Sequence, residues 1–167
     1  GIADWVSPSD MEKNIERAHK WENLLLGKQV PDLACMDSAN VWHNTRDCNK
    51  DFKILLFWSP GCGHCSVEVP KYDKFYKEKK DIYSVEIFAI NTESDLEAWK
   101  KFIKEKDLQW INLNGLVANY DWREYFDVEK TPIMFILDKN NTIVAKNVPA
   151  DNIEQIIKAI KEGKFTY

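Results

Sequence analysis

Along this chain the spacing of apolar side chains switches repeatedly between the period of a strand and that of a helix. Lys53-Ile54-Leu55-Leu56-Phe57-Trp58 is a near-continuous apolar run, the pattern of a central strand buried on both faces, and Ser59-Pro60-Gly61 halts it. Ile82 to Ile90 reads as the next strand and ends in the turn Asn91-Thr92-Glu93-Ser94. Between the two, residues 63 to about 79 carry Val67, Tyr72, Phe75 and Tyr76 on a helix. Pro70 lies inside it, removing one helical hydrogen bond and predicting a bend. A second helix is expected from about Asp95 to Glu105, with Leu96, Trp99 and Ile103 as its inner stripe.

The flanks complete the pattern. Ser9 or Asp10 to Leu26 reads as a helix with Met11, Ile15, Ala18 and Leu25 on one face, and Gly27 is a natural stop. Pro31–Met36 and Val41–His43 read as two short strands around the turn Asp37-Ser38-Ala39-Asn40. Gln109–Leu113 is expected to be extended and Val117–Phe126 to form a short helix. Pro132–Leu137 and Thr142–Lys146 pair as a hairpin, and a helix from about Asp151 to Ile160 closes the chain. No repeat or linker divides it, so the order predicts one α/β domain, a mixed sheet with helices on both faces. Residues 1–29 form an N-terminal helical extension and residues 30–167 the domain proper.

Composition narrows the function. The 167 residues are 44% hydrophobic and 30% charged, and the formal charge of −4 argues against nucleic acid or an anionic membrane as the main partner. The lysines at 77, 79, 80, 100, 101, 104 and 106 alternate with acids at helical spacing and read as solvated faces. No apolar run reaches the length of a membrane span, and a chain opening on Gly1 leaves the native location undetermined. Seven tryptophans fit a well-filled core, with Trp58 on the central strand and Trp110 or Trp122 candidates for the rim of a groove.

Four cysteines stand at 35, 48, 62 and 65. Cys62-Gly63-His64-Cys65 follows the buried strand directly and opens a helix. There the unpaired backbone N–H groups and the positive end of the helix dipole favour a negative sulfur. A thiol attacks only as thiolate, so this placement suits Cys62 as nucleophile. Cys65, nearly one helical turn on and more enclosed, suits the resolving thiol. His64 between them can stabilise the reduced form and make the disulfide more oxidising, or lie solvated with little influence. Cys35 and Cys48 flank the first hairpin. They fit either a structural disulfide across it or two free thiols packed as small hydrophobes. Their spacing supplies no tight zinc knuckle, so no metal site is expected.

The segment Phe57-Trp58-Ser59-Pro60-Gly61-Cys62-Gly63-His64-Cys65, followed by Glu68-Val69-Pro70 and by Thr131-Pro132-Ile133, resembles the thioredoxin superfamily. More narrowly it is similar to the bacterial extracytoplasmic TlpA/ResA-like thiol–disulfide oxidoreductases, over residues 30–162. The resemblance implies a thioredoxin fold with the N-terminal helix and β-hairpin as additions. It also implies a cis Pro132 facing the cysteines, Thr131 before it, and an open backbone edge for an extended substrate. It places a carboxylate at Glu68, which, buried near the sulfurs, would have a raised pKa and pass protons to and from Cys65. General cytoplasmic thioredoxins carry an Asp on the central strand and a Trp before the first cysteine; Leu56 and Gly61 stand there instead. The expected activity is disulfide exchange with protein substrates, first as a reductase, alternatively as an oxidase or isomerase. It needs no cofactor beyond the Cys62–Cys65 pair, an upstream redox partner to regenerate it, and an extracytoplasmic location. A thioredoxin-fold binding module with regulatory cysteines is the reading from another class.

Overall fold

The computed structural model describes residues 7–13, 15 and 26–164. Seven strands form one mixed sheet: β1 (Ala34–Met36), β2 (Trp42–Asn44), β3 (Phe52–Trp58), β4 (Val85–Asn91), β5 (Ile111–Ala118), β6 (Ile133–Leu137) and β7 (Ile143–Lys146). Their spatial order is β2-β1-β5-β4-β3-β6-β7. The helices are α1 (Gly63–Tyr83), α2 (Leu96–Lys106), α3 (Trp122–Tyr125) and α4 (Ile153–Lys161).

β3 occupies the middle, parallel to β4 and antiparallel to β6. Every one of its seven residues is buried, as a strand covered on both faces requires. Ile54, Leu56 and Trp58 face a core shared with Cys65, Val69 and Tyr72 of α1, Trp99 of α2 and Ile157 of α4. Leu55 and Phe57 face the opposite core with Trp122 of α3, Phe126 and Phe135. Lys53 is the exception in chemistry: its buried ammonium donates to the Thr45 carbonyl and to Asn141 Oδ1. Asn141 in turn donates to Asp32 at 2.6 Å, so the charge is held by a connected polar group.

Several boundaries differ from the expected pattern. The extended piece expected over 109–113 runs on to Ala118, and the helix expected over 117–126 shrinks to Trp122–Tyr125. The cause is tertiary pairing: β1 lies antiparallel on β5, Cys35 opposite Ala118 and Met36 opposite Asn114, with a register shift between them. Gly115 allows this strand to approach β4 closely, and its carbonyl accepts the Trp122 indole N–H at 2.7 Å. α1 runs unbroken through Pro70 to a left-handed cap at Ser84, longer than the expected 63–79. Of the expected N-terminal helix, residues 8–13 and 15 are helical, and the rest lies outside the described residues. Met11 and Ile15 are exposed where the pattern placed an inner face. On either side of residue 29 the backbone bonds to β7 and the turn before it, Ile143 N–H to Lys28 O and Val30 N–H to Asn141 O.

A Cβ at position 115 would sit 2.4 Å from the Asn91 carbonyl oxygen and 2.8 Å from both Ile90 Cγ2 and Trp122 Cζ2. Gly115→Ala therefore forces β4 and β5 apart. Urea unfolding should show a loss of about 1–3 kcal/mol, the range for overpacking a filled core; an unchanged midpoint would contradict this account of β5.

Candidate functional site

The sheet delivers the site at the end of β3. The chain leaves Trp58, turns through Ser59-Pro60-Gly61, and enters α1 with Cys62 as its N-cap. Cys62 Sγ accepts the Cys65 N–H at 3.2 Å, the position that a serine or aspartate oxygen takes in other helices. Its thiol donates to the Thr131 carbonyl at 3.1 Å, and the Thr131–Pro132 peptide bond is cis. Residues 69 positions apart in the chain thus meet across the sulfur.

The two thiols sit in different surroundings. Cys62 is part-exposed and Cys65 is wholly buried among Trp58, Val69 and neighbouring apolar side chains. Partial burial opposes ionisation of Cys62. The Cys65 thiol, the Thr131 side chain and the backbone N–H groups of Cys65 and His64 outweigh it and hold the Cys62 thiol below its usual range. Burial pushes the Cys65 thiol up to about 12, and its bond to Cys62 adds to the shift. The pair therefore divides into a thiolate-prone sulfur at the surface and a protonated one beneath it.

His64 is exposed, and Gly63 has open space around it. Trp58 is fully buried, 5.0 Å from the Phe102 ring, with its indole N–H unpaired. Glu68 departs from expectation: it is part-buried, and its carboxylate is committed elsewhere. Oε2 accepts the Ala150 N–H at 3.2 Å, and Oε1 lies 3.7 Å from Lys71 Nζ. No hydrogen bond joins it to either sulfur. The turn before α4 supplies a free backbone N–H close to this face of α1, and the carboxylate takes it. Trp110 and Trp122 are likewise not rim residues, being buried in the two cores.

Cys35 and Cys48 are free thiols here, not a disulfide across the hairpin. Cys35 is wholly enclosed in the core behind β1, and burial alone pushes its thiol up to about 12. Cys48 lines a separate cavity of about 580 Å³ near β2, which shares no residue with the cysteine pair. His43 pairs with Asp37 at 2.7 Å. Among the described residues no three His, Cys or acidic side chains gather as metal ligands, and no helix is long and apolar enough to cross a membrane.

Beside the cysteines runs a groove of about 550 Å³, bounded by His64, Glu68 and Tyr72 of α1 and by the segments Lys130–Met134 and Asn147–Pro149. Of its lining residues, the sequence singles out His64, Glu68, Thr131 and Pro132 as site residues, and not the rest. The 147–149 wall follows β7, and only the fold brings it to α1, where Tyr72 donates to the Val148 carbonyl at 2.6 Å.

Known proteins resemble this chain in sequence and fold. The chain is 27% identical over 123 residues to the thioredoxin-like protein YneN of Bacillus subtilis, covering 70% of this chain and 68% of that protein. A domain of a possible thiol-disulfide isomerase from Cytophaga hutchinsonii is 30% identical, with a TM-score of 0.76 over 84% of this chain and 95% of that one. A thiol:disulfide interchange protein from a Bacteroides species is 25% identical, with a TM-score of 0.70 over 83% and 94% of the two chains. A family model described as thioredoxin-like matches residues 49–143, more than half the sequence, and the chain belongs to the thioredoxin-like family.

Proposed function

We propose that this chain reduces disulfides in protein substrates outside the cytoplasm, with Cys62 as nucleophile and Cys65 as resolving thiol. It is an enzyme of the thiol–disulfide oxidoreductase type. The observation that carries the reading is the paired thiols at the start of α1, one depressed and one raised in pKa, with the Thr131 carbonyl 3.1 Å from the first.

The Cys62 thiolate attacks one sulfur of the substrate disulfide. A mixed disulfide forms and the second substrate sulfur leaves as thiolate. Cys65 then gives up its proton and attacks Cys62 Sγ, expelling the first substrate sulfur. The proton passes to a departing thiolate, two electrons have moved to the substrate, and Cys62–Cys65 is a disulfide. A dithiol redox partner must reduce it again, and no further cofactor is required. Thr131 and Pro132 hold the substrate backbone beside Cys62. Glu68 serves the site in this reading by tying α1 to the turn before α4, which shapes the groove, and proton traffic at Cys65 runs through the substrate sulfur. Gly61 and Leu56, where cytoplasmic thioredoxins carry Trp and Asp, support the extracytoplasmic placement. The depressed Cys62 thiol favours a second reading, oxidation or isomerisation, because a stabilised thiolate makes the disulfide the stronger oxidant.

Reduction of insulin with dithiothreitol as donor tests the enzyme. Wild type should accelerate it and Cys62→Ser should not; equal rates would end the reading. Cys65→Ser should accumulate a mixed disulfide with substrate, visible on a non-reducing gel and dissolved by reductant. Direction follows from equilibration with glutathione: a potential near about −270 mV supports a reductase, and one near about −180 mV supports oxidation or isomerisation.

The pKa ordering has its own test. Because Cys62 lies below and Cys65 far above the usual thiol range, iodoacetamide at pH 7 should label Cys62 and spare Cys65. The labelling rate should fall only as pH drops through the depressed Cys62 value. A midpoint at or above that of a free cysteine, or labelling of Cys65 first, would contradict the ordering.

A further inference from the structure

The groove beside the cysteines has a charge pattern that its apolar floor does not require. Lys130 immediately precedes Thr131, whose carbonyl bonds Cys62, and its ammonium is exposed with no carboxylate partner among the described residues. His64, also exposed, faces the same groove from between the two cysteines. The one carboxylate lining the groove is Glu68, and it is already satisfied by the Ala150 N–H and by Lys71. Glu129, the chain neighbour of Lys130, is engaged in an interaction of its own. Lys130 is therefore the charged side chain lining the groove that has no ion pair among the described residues, since Glu68 shares Lys71 with Asp151, on a protein whose formal charge is −4. Pro132, Ile133 and Pro149 give the groove its accessible apolar surface beside Lys130.

We infer that Lys130 selects protein substrates whose disulfide lies in an extended segment carrying a carboxylate beside the cysteine and an apolar side chain next to it. This rests on the exchange reading above and goes beyond it by naming the substrate class. The carboxylate pairs with Lys130 at the groove mouth while the apolar neighbour settles against Pro132, Ile133 and Pro149. A segment with Lys or Arg at that position meets like charge instead, so the groove rejects as well as attracts.

The test compares two disulfide-linked model peptides identical except for Asp or Lys beside the cysteine, in low salt. Wild type should show kcat/KM about two- to fivefold in favour of the acidic peptide, the scale of one solvent-exposed charge pair. Lys130→Gln should bring the ratio toward one and Lys130→Glu should invert it, and added salt should compress all three ratios. A ratio near one in wild type, or a preference that survives Lys130→Glu, overturns the inference. Two controls separate its failure from failure of the exchange reading. Wild type must turn over a neutral peptide disulfide that Cys62→Ser does not, or the exchange reading itself is lost. Binding of the same peptides with their cysteines replaced by serine, followed by fluorescence anisotropy, reports the charge preference without any exchange. Equal affinity for acidic and basic forms there refutes the selection whatever the kinetics show.

Discussion

The two-sided burial of β3 is the constraint from which the rest of the architecture follows. A strand with β4 on one side, β6 on the other and helices over both faces has no solvent face and no free edge. Its side chains alternate between two cores, so a slip of one residue would send Trp58 and Leu56 to the wrong side. Each fully buried large apolar side chain contributes about 1.5–3 kcal/mol, and β3 supplies six of them. The strand is therefore fixed in register, and so is the point at which the chain emerges from it. Cys62 appears four residues past its end because Ser59-Pro60-Gly61 leaves room for a turn and nothing longer.

From that fixed point the two sulfurs acquire different chemistry by small geometric means. One caps a helix and touches a carbonyl from a distant loop. The other, three residues on, faces inward against Trp58 and Val69. No charged side chain is needed to separate their acidities: hydrogen bonds lower one and desolvation raises the other. His64, the residue of the motif with the most evident chemistry, points to solvent and reaches the site from the groove side.

Much of this was legible from residue order. The apolar run 53–58, the stop at Pro60-Gly61 and the helix opening on the cysteines follow from period and turn chemistry, and the resemblance added the cis Thr131–Pro132 bond. What escaped was decided by partners remote in sequence. Gln109–Leu113 reads as a short extended piece, yet β1 pairs beyond it and β5 runs on to Ala118. The resemblance offers Glu68 as a carboxylate for the sulfur, but the N–H of Ala150 that it accepts from lies 82 residues away and no local pattern announces it. Trp122 sits in a short polar stretch and is buried because its indole finds the Gly115 carbonyl and its ring the Phe57 face, 5.1 Å away.

The sulfur cap at the head of α1 joins reactivity to folding through a closed thermodynamic cycle. Whatever the folded protein gives the Cys62 thiolate, it gives only to the reduced state, so reduction and unfolding are linked equilibria. The interactions that ready Cys62 for attack also make the protein reluctant to surrender its electrons. The burial of Cys65 acts in the other sense, since a thiol held near 12 contributes no second favourable thiolate. The potential of the pair is set by the balance between a well-capped surface sulfur and a poorly solvated inner one. A change in the packing beneath Cys65, at Val69 or Trp58, would shift that balance without touching either sulfur.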